Sequence, residues 1–184
     1  MSLQSWGETL ITSQVDGAAL TAAAAASAIP AAAKYTLPAN FFSIGKQLLV
    51  KASGRISSVI TTPGTARYDV RFGATVVFDG LASLLDSVAA HTNVGWTLEI
   101  LLTCRAIGAT GNLFGQGTWT CEDLLGVPAT APKGVLSAIL PWNSAPVVGN
   151  NFDTTTSQVV DLFFTQTAAT GSMTVHQYSL ISPN

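Results

Sequence analysis

From Lys34 onwards apolar and polar positions alternate with a period of two, the repeat of a β-strand with one buried face. Leu48, Val50 and Ala52 alternate with Gln47, Lys51 and Ser53, and Ser53-Gly54 reads as a turn. Ile56, Val59 and Ile60 lead to a turn at Thr62-Pro63-Gly64. Tyr68, Val70 and Phe72 face one way and Arg67, Asp69 and Arg71 the other. Val76–Phe78 then runs to a hairpin signal at Asp79-Gly80. The clearest strand is Trp96–Ala106, with Trp96, Leu98, Ile100, Leu102 and Cys104 on one face and Thr97, Glu99, Leu101, Thr103 and Arg105 on the other. It turns at Gly108–Gly111 and returns through Leu113–Cys121. Val135–Leu140, Ser157–Thr167 and Ser172–Ile181 complete the series, separated by the Pro-containing loops Gly126–Gly134 and Pro141–Asp153 and by a turn ending at Gly171.

About eight strands spaced by turns predict an all-β antiparallel sandwich or barrel, without βαβ units. Leu81–Ala90 is open between a helical turn and a loop. The Ala-rich run Thr21–Ala33 has high helix propensity but no two-faced pattern, and Pro30 interrupts it. It is expected to be extended, an arm or small-residue strand lying flat against a neighbouring surface, so residues 1–33 read as an N-terminal arm and 34–184 as the sandwich domain. No internal repeat stands out.

Two strands carry apolar residues on both faces. Ser157–Thr167 has Val159 and Phe163 around Asp161 on one side and Val160, Leu162 and Phe164 on the other; Trp96–Ala106 has Leu101 on its polar side. Strands of this kind are covered on both sides. In a two-layer fold the second cover comes from loops or from another subunit.

Composition strengthens that reading. Only 10% of the 184 residues are charged, against about 25% in an average soluble protein. A surface so poor in charge suits a molecule that works while covered. The net charge of −2 and the scattered Lys and Arg argue against nucleic acid as a partner. The longest uncharged stretch, Gly17–Ala33, is too short and too rich in Ala to span a membrane. Glu8 and Asp16 precede it, where a secretory signal carries positive charge.

Several segments resemble jelly-roll proteins of tailed-bacteriophage virions, related in architecture to the tumour-necrosis-factor-like trimeric jelly rolls. They are Tyr35–Phe42 (YTLPANFF), Ile44–Val50 (IGKQLLV), Gly95–Arg105 (GWTLEILLTCR) with the Gly108–Gly111 turn, and Gly115–Gly117 (GQG). The likeness covers Thr36–Ile181, and Trp6–Gly17 is similar to the start of phage structural proteins. It implies a jelly-roll-type sandwich in a virion component, typically a homotrimer, with no catalytic residues to carry over. The leading expectation is a capsid decoration or cement protein on the capsid surface, made in the host bacterial cytoplasm, with itself and the major capsid protein as partners. The alternative is a tail-associated or fibre-head trimer that binds a host-surface glycan or protein.

Enzymatic constellations are weak. His91, His176, Cys104 and Cys121 have no metal-ligand spacing, and both cysteines lie within strands, where they read as small core residues. Gly45-Lys46 fails as a phosphate loop, because Asn40 stands where a glycine is required and Gln47 where Ser or Thr is. No catalytic residue, cofactor or metal is expected. Asp69, Glu99, Glu122, Asp123 and Asp161 are the carboxylates that a glycosidase reading would need, but their neighbours Arg67, Arg71 and Arg105 favour ion pairing. Arg71, Glu99, Arg105 and Asp161 are expected to form a polar interface cluster on one sheet face, near a trimer axis. Trp142 and Tyr35 are the aromatics that would stack on a sugar, and no Asp/Asn-rich calcium loop accompanies them.

Overall fold

A computed structural model describes residues 7–126 and 135–183. It contains twelve strands, one 3₁₀ turn at Ala31–Ala33 and no α-helix among the described residues. The strands are β1 (Glu8–Thr12), β2 (Ala25–Ser27), β3 (Tyr35–Leu37), β4 (Gln47–Ser58), β5 (Thr65–Phe72) and β6 (Thr75–Asp79). They continue with β7 (Ser83–Leu84), β8 (His91–Ala106), β9 (Asn112–Leu125), β10 (Val135–Leu140), β11 (Gln158–Gln166) and β12 (Ser172–Ser182). Two antiparallel sheets face each other. The first has the order β1-β12-β4-β8-β9-β10, the second β2-β11-β5-β6, with β3 also on β11 and β7 on β5.

The chain switches sheets repeatedly: β1 lies in the first, β2 in the second, β4 in the first, β5 and β6 in the second, β8 in the first, β11 in the second, β12 in the first. The orders β1-β12-β4-β8 and β2-β11-β5-β6 are the two four-stranded halves of a jelly roll. The β9–β10 pair is inserted between β8 and β11 and widens the first sheet.

This topology corrects the expected arm. The N-terminal segment is extended, but it supplies the opening strand of each sheet in its own domain. Glu8–Thr12 pairs with Ser179–Ser182, Leu20 pairs with Met173, and Ala25–Ser27 pairs with Phe163–Thr165. Ala28 and Ile29 are buried in the common core. Small residues are needed because the crossing is tight: a Cβ on Gly17 would lie 2.2 Å from the Ala28 carbonyl oxygen. The helix propensity of the alanines is worth only a few tenths of a kcal/mol per residue. Two open strand edges offering backbone partners outweigh it. No boundary at residue 33 therefore separates two structural units.

The turn expected at Ser53-Gly54 is also absent. β4 runs through it, because Gly54 permits close approach rather than reversal. Its Cβ would sit 1.9 Å from the Thr174 carbonyl oxygen, beside the shift in β4–β12 register between Val175 and Gln177. The reversal between β5 and β6 comes at Gly73 (φ 57°) instead of Asp79-Gly80. Asn40 (φ 59°) and Gly45 (φ 87°) shape the approach to β4.

Two aromatic clusters fill the space between the sheets. Tyr68 sits 5.2 Å, centroid to centroid, from each of Trp96, Trp119 and Phe164. Nearer the Gly108–Gly111 turn, Phe72 and Phe152 meet edge to face at 4.8 Å, with Phe42 stacked on Phe72. Such rings contribute both area and preferred geometry. Leu81–Ala90 resolves into β7 and a turn built on buried Asp86, which accepts the amides of Val88 (2.9 Å) and Ala89 (3.1 Å) and lies 3.4 Å from His91 Nε2. Burial opposes its charge, but these hydrogen bonds and His91 together hold Asp86 below the ordinary carboxylate range.

Candidate functional site

The outward faces of the two sheets differ in kind. On the second sheet the register sets Asp161 opposite Arg71, Phe163 opposite Asp69, and Asp69 opposite Asp79. Charged residues from neighbouring strands therefore meet. Arg71 grips Asp69 through Nε and Nη2 (2.6 and 3.1 Å), and Arg67 grips Asp79 in the same two-pronged way (2.7 and 2.6 Å). Lys34 lies 2.6 Å from Asp161, which also accepts the Ser27 hydroxyl at 2.7 Å. The Asp69 side chain is fully buried. Its hydrogen bonds hold the Arg71 guanidinium charge even more firmly than usual, with burial opposing. Arg71 in turn lies over the Phe163 ring at 3.7 Å. The outer apolar face of β11 is thus partly covered from within the chain, by Arg71 on Phe163, while Val159 remains 40% exposed.

The expected four-residue cluster is divided by this arrangement. Arg71 and Asp161 face each other on β5 and β11. Glu99 and Arg105 lie on β8, in the other sheet, where Glu99 pairs with Lys51 (2.6 Å) and Arg105 sits over Phe114 at 5.2 Å. Alternation says which face of a strand a residue occupies; it does not say which strands share a sheet. The partners Lys34, Asp69 and Asp79 were not singled out for this cluster.

The first sheet presents an open groove. Side chains line up in cross-strand rows: Ser179, Lys51, Glu99, Thr118 in one, and Gln177, Ser53, Thr97, Thr120 in the next. Thr12 and Ser13 close the β1 side. This depression has a volume of about 780 Å³ and adjoins a second of about 430 Å³. They share Ser53, Thr97, Thr120 and Gln177. The second is bordered by Arg55, Glu122 and His176 and floored in part by Gly54 and Gly95. Among the described residues, few contacts tie these groups down: Lys51 to Glu99, Ser53 to Gln177 (3.1 Å), the Gly95 amide to Glu122 Oε1 (3.4 Å), Thr120 to Ser137 (3.2 Å), and His176 Nδ1 to Asp16 (2.9 Å). The groove is rich in hydroxyl and amide groups, each able to donate and accept.

The remaining candidates take structural places. Cys104 and Cys121 are buried and unbonded to each other, and burial pushes the Cys104 thiol up, away from its nucleophilic form. No group of three metal-ligating side chains occurs among the described residues. Trp142 and Tyr35 are half-buried against the core, and Phe152 lies inside it, so none of these aromatics stands out as a sugar platform. The Asp123 side chain and most of the loop Gly126–Gly134 lie outside the described residues. No described helix is long and apolar enough to cross a membrane.

No family model matches the sequence, and no curated protein matches it. Among solved structures, the chain is similar to the CBM2 module of the evolved Dit of Lactobacillus casei phage J-1 (strain BL23), at 8% identity and a TM-score of 0.31, over 82% of this chain and 68% of that one. Likeness of that degree assigns neither fold nor role.

Proposed function

We propose that this chain is a non-enzymatic jelly-roll module of a virion that acts by contact, and that its contact face is the outer face of the first sheet, which recognises a host-surface glycan or protein. The carrying observation is the difference between the two faces. The second sheet's charges are matched and held by one another, whereas the first sheet's groove is open and lined with groups that have few internal partners. The segment likeness to jelly-roll virion proteins supports the setting, and homotrimeric assembly would multiply a weak contact.

Cementing a capsid is the second reading. Its arm-based mechanism loses support, because β1 and β2 are built into the domain. What favours it is the edge strand β10, which exposes Leu136 and Ile139. An apolar strand edge is a surface for pairing with another copy or with the major capsid protein.

The test is retention of a panel of bacterial cells by the immobilised full chain. Wild type is expected to retain at least one strain, and Thr97→Arg, which fills the groove at an exposed position, to lose it. Val159→Lys on the second sheet serves as the control and should retain as wild type does. Equal retention by Thr97→Arg, or none by any form, would contradict the proposal.

A further inference from the structure

The groove's chemistry narrows the ligand further than "glycan or protein", and the inference rests on the contact-face reading above. The β4–β8 register sets Arg55 opposite Gly95, and Glu122 of β9 reaches Gly95 from the other side. Gly95 leaves the space between them without a side chain. A Cβ there would meet only Glu122 Oε1, at an unstrained 3.4 Å, so steric crowding does not demand glycine. Its φ is not in the left-handed region either. Its effect is to open a saddle between a cation and a carboxylate. Glu122 is turned toward this saddle, with Oε1 3.4 Å from the Gly95 amide. Arg55 forms no ion pair among the described residues. The next row holds Ser53, Thr97, Thr120 and Gln177.

Charge selects among ligands. The groove carries Lys51 and Arg55 against Glu99 and Glu122, and His176 is matched by Asp16. The balance offers no net field to attract a polyanion such as nucleic acid or an acidic polysaccharide. The large apolar side chains that border it, Trp96, Leu98 and Tyr178, are buried and offer few anchors to a peptide. What it does supply is a continuous strip of hydroxyls and an amide, flanked by two charged groups suited to vicinal hydroxyls: a guanidinium that donates twice and a carboxylate that accepts twice.

We infer that the groove binds an uncharged oligosaccharide, with one sugar ring seated over Gly95 between Arg55 and Glu122 and the chain continuing over Thr97 toward Lys51 and Glu99. With no exposed ring to stack on, each site binds weakly, and attachment relies on several copies acting together.

The experiment titrates ¹⁵N-labelled full chain with neutral hexasaccharides (maltohexaose, hexa-N-acetylchitohexaose, xylohexaose) and with an acidic control, polygalacturonate. At least one neutral probe is expected to shift the amides of Arg55, Gly95, Thr97 and Glu122. Arg55→Ala and Glu122→Ala should each weaken that probe about tenfold, the loss of one charge-assisted hydrogen bond. A preference for polygalacturonate, or no response to any neutral probe, would overturn the inference. Cell retention separates it from the reading beneath it. Retention that survives periodate oxidation of the cells but is lost in Thr97→Arg leaves the contact face standing and removes the glycan.

Discussion

The two outward sheet faces are built from the same alternating pattern and come out opposite in character. On the second, three acids (Asp69, Asp79, Asp161) meet three bases (Arg67, Arg71, Lys34) at hydrogen-bonding distance, and the Asp69 carboxylate is fully buried. On the first, the exposed Lys51–Glu99 pair lies amid threonines, serines and a glutamine, with His176–Asp16 as a second exposed pair. Polar groups that satisfy one another stabilise a face and leave little for a ligand. Polar groups left facing water cost the fold little and remain available. That difference is the ground of the proposed contact face, and it needs no motif.

Deleting residues 1–33 should have the largest effect. It strips the opening strand from both sheets and uncovers the core beneath Ala28 and Ile29. The expected outcome is loss of the cooperative thermal transition seen by circular dichroism. An unchanged transition would restore the free arm and leave the first sheet's groove without its β1 wall.

Asp69→Ala comes next. Removing one member of a fully buried ion pair costs about 3–5 kcal/mol. Because Arg71 keeps 21% of its side-chain surface, about 2–3 kcal/mol is expected in urea unfolding. A change near zero would mean that the second face is no more structural than the first.

Acid sensitivity gives a smaller effect. The Asp86 carboxyl is held below its ordinary 3.8 in the folded chain. Its stabilising contribution is therefore complete above that value and is lost as pH falls through the lower folded value. Asp86→Asn should flatten the acid limb of stability against pH below about 4. Smallest of all is Lys51–Glu99: a double-mutant cycle to Ala should return under about 1 kcal/mol, as for exposed pairs generally. A larger coupling would move this pair from contact surface to scaffold.

Much of this was legible in the sequence. Period-two alternation located β5, β8, β11 and β12 to within a few residues, and Trp96 stands in the core as its place in the pattern indicates. The N-terminal segment read as extended, an arm or small-residue strand, but not as part of both sheets, because its pairing partners lie about 135–175 positions away in β11 and β12. Gly54 misled for a related reason: a glycine that admits a crossing backbone looks the same as one that turns. Of the expected polar cluster, Arg71 and Asp161 lie opposite each other, while Glu99 and Arg105 lie in the other sheet, which alternation along single strands does not reveal. The groove left almost no trace beforehand. Its threonines and serines read as ordinary outward positions, and only cross-strand register sets Thr97, Ser53, Thr120 and Gln177 side by side.

Amide hydrogen exchange on the full chain, with and without the cell-surface material it retains, tests the contact face most directly. Protection is expected over 49–55, 95–101, 116–122 and 177–181, the strands that line the groove, with none added at 67–71 or 159–163. Protection confined to the second sheet or to the β10 edge would contradict the assignment of the first sheet as the face that works by contact.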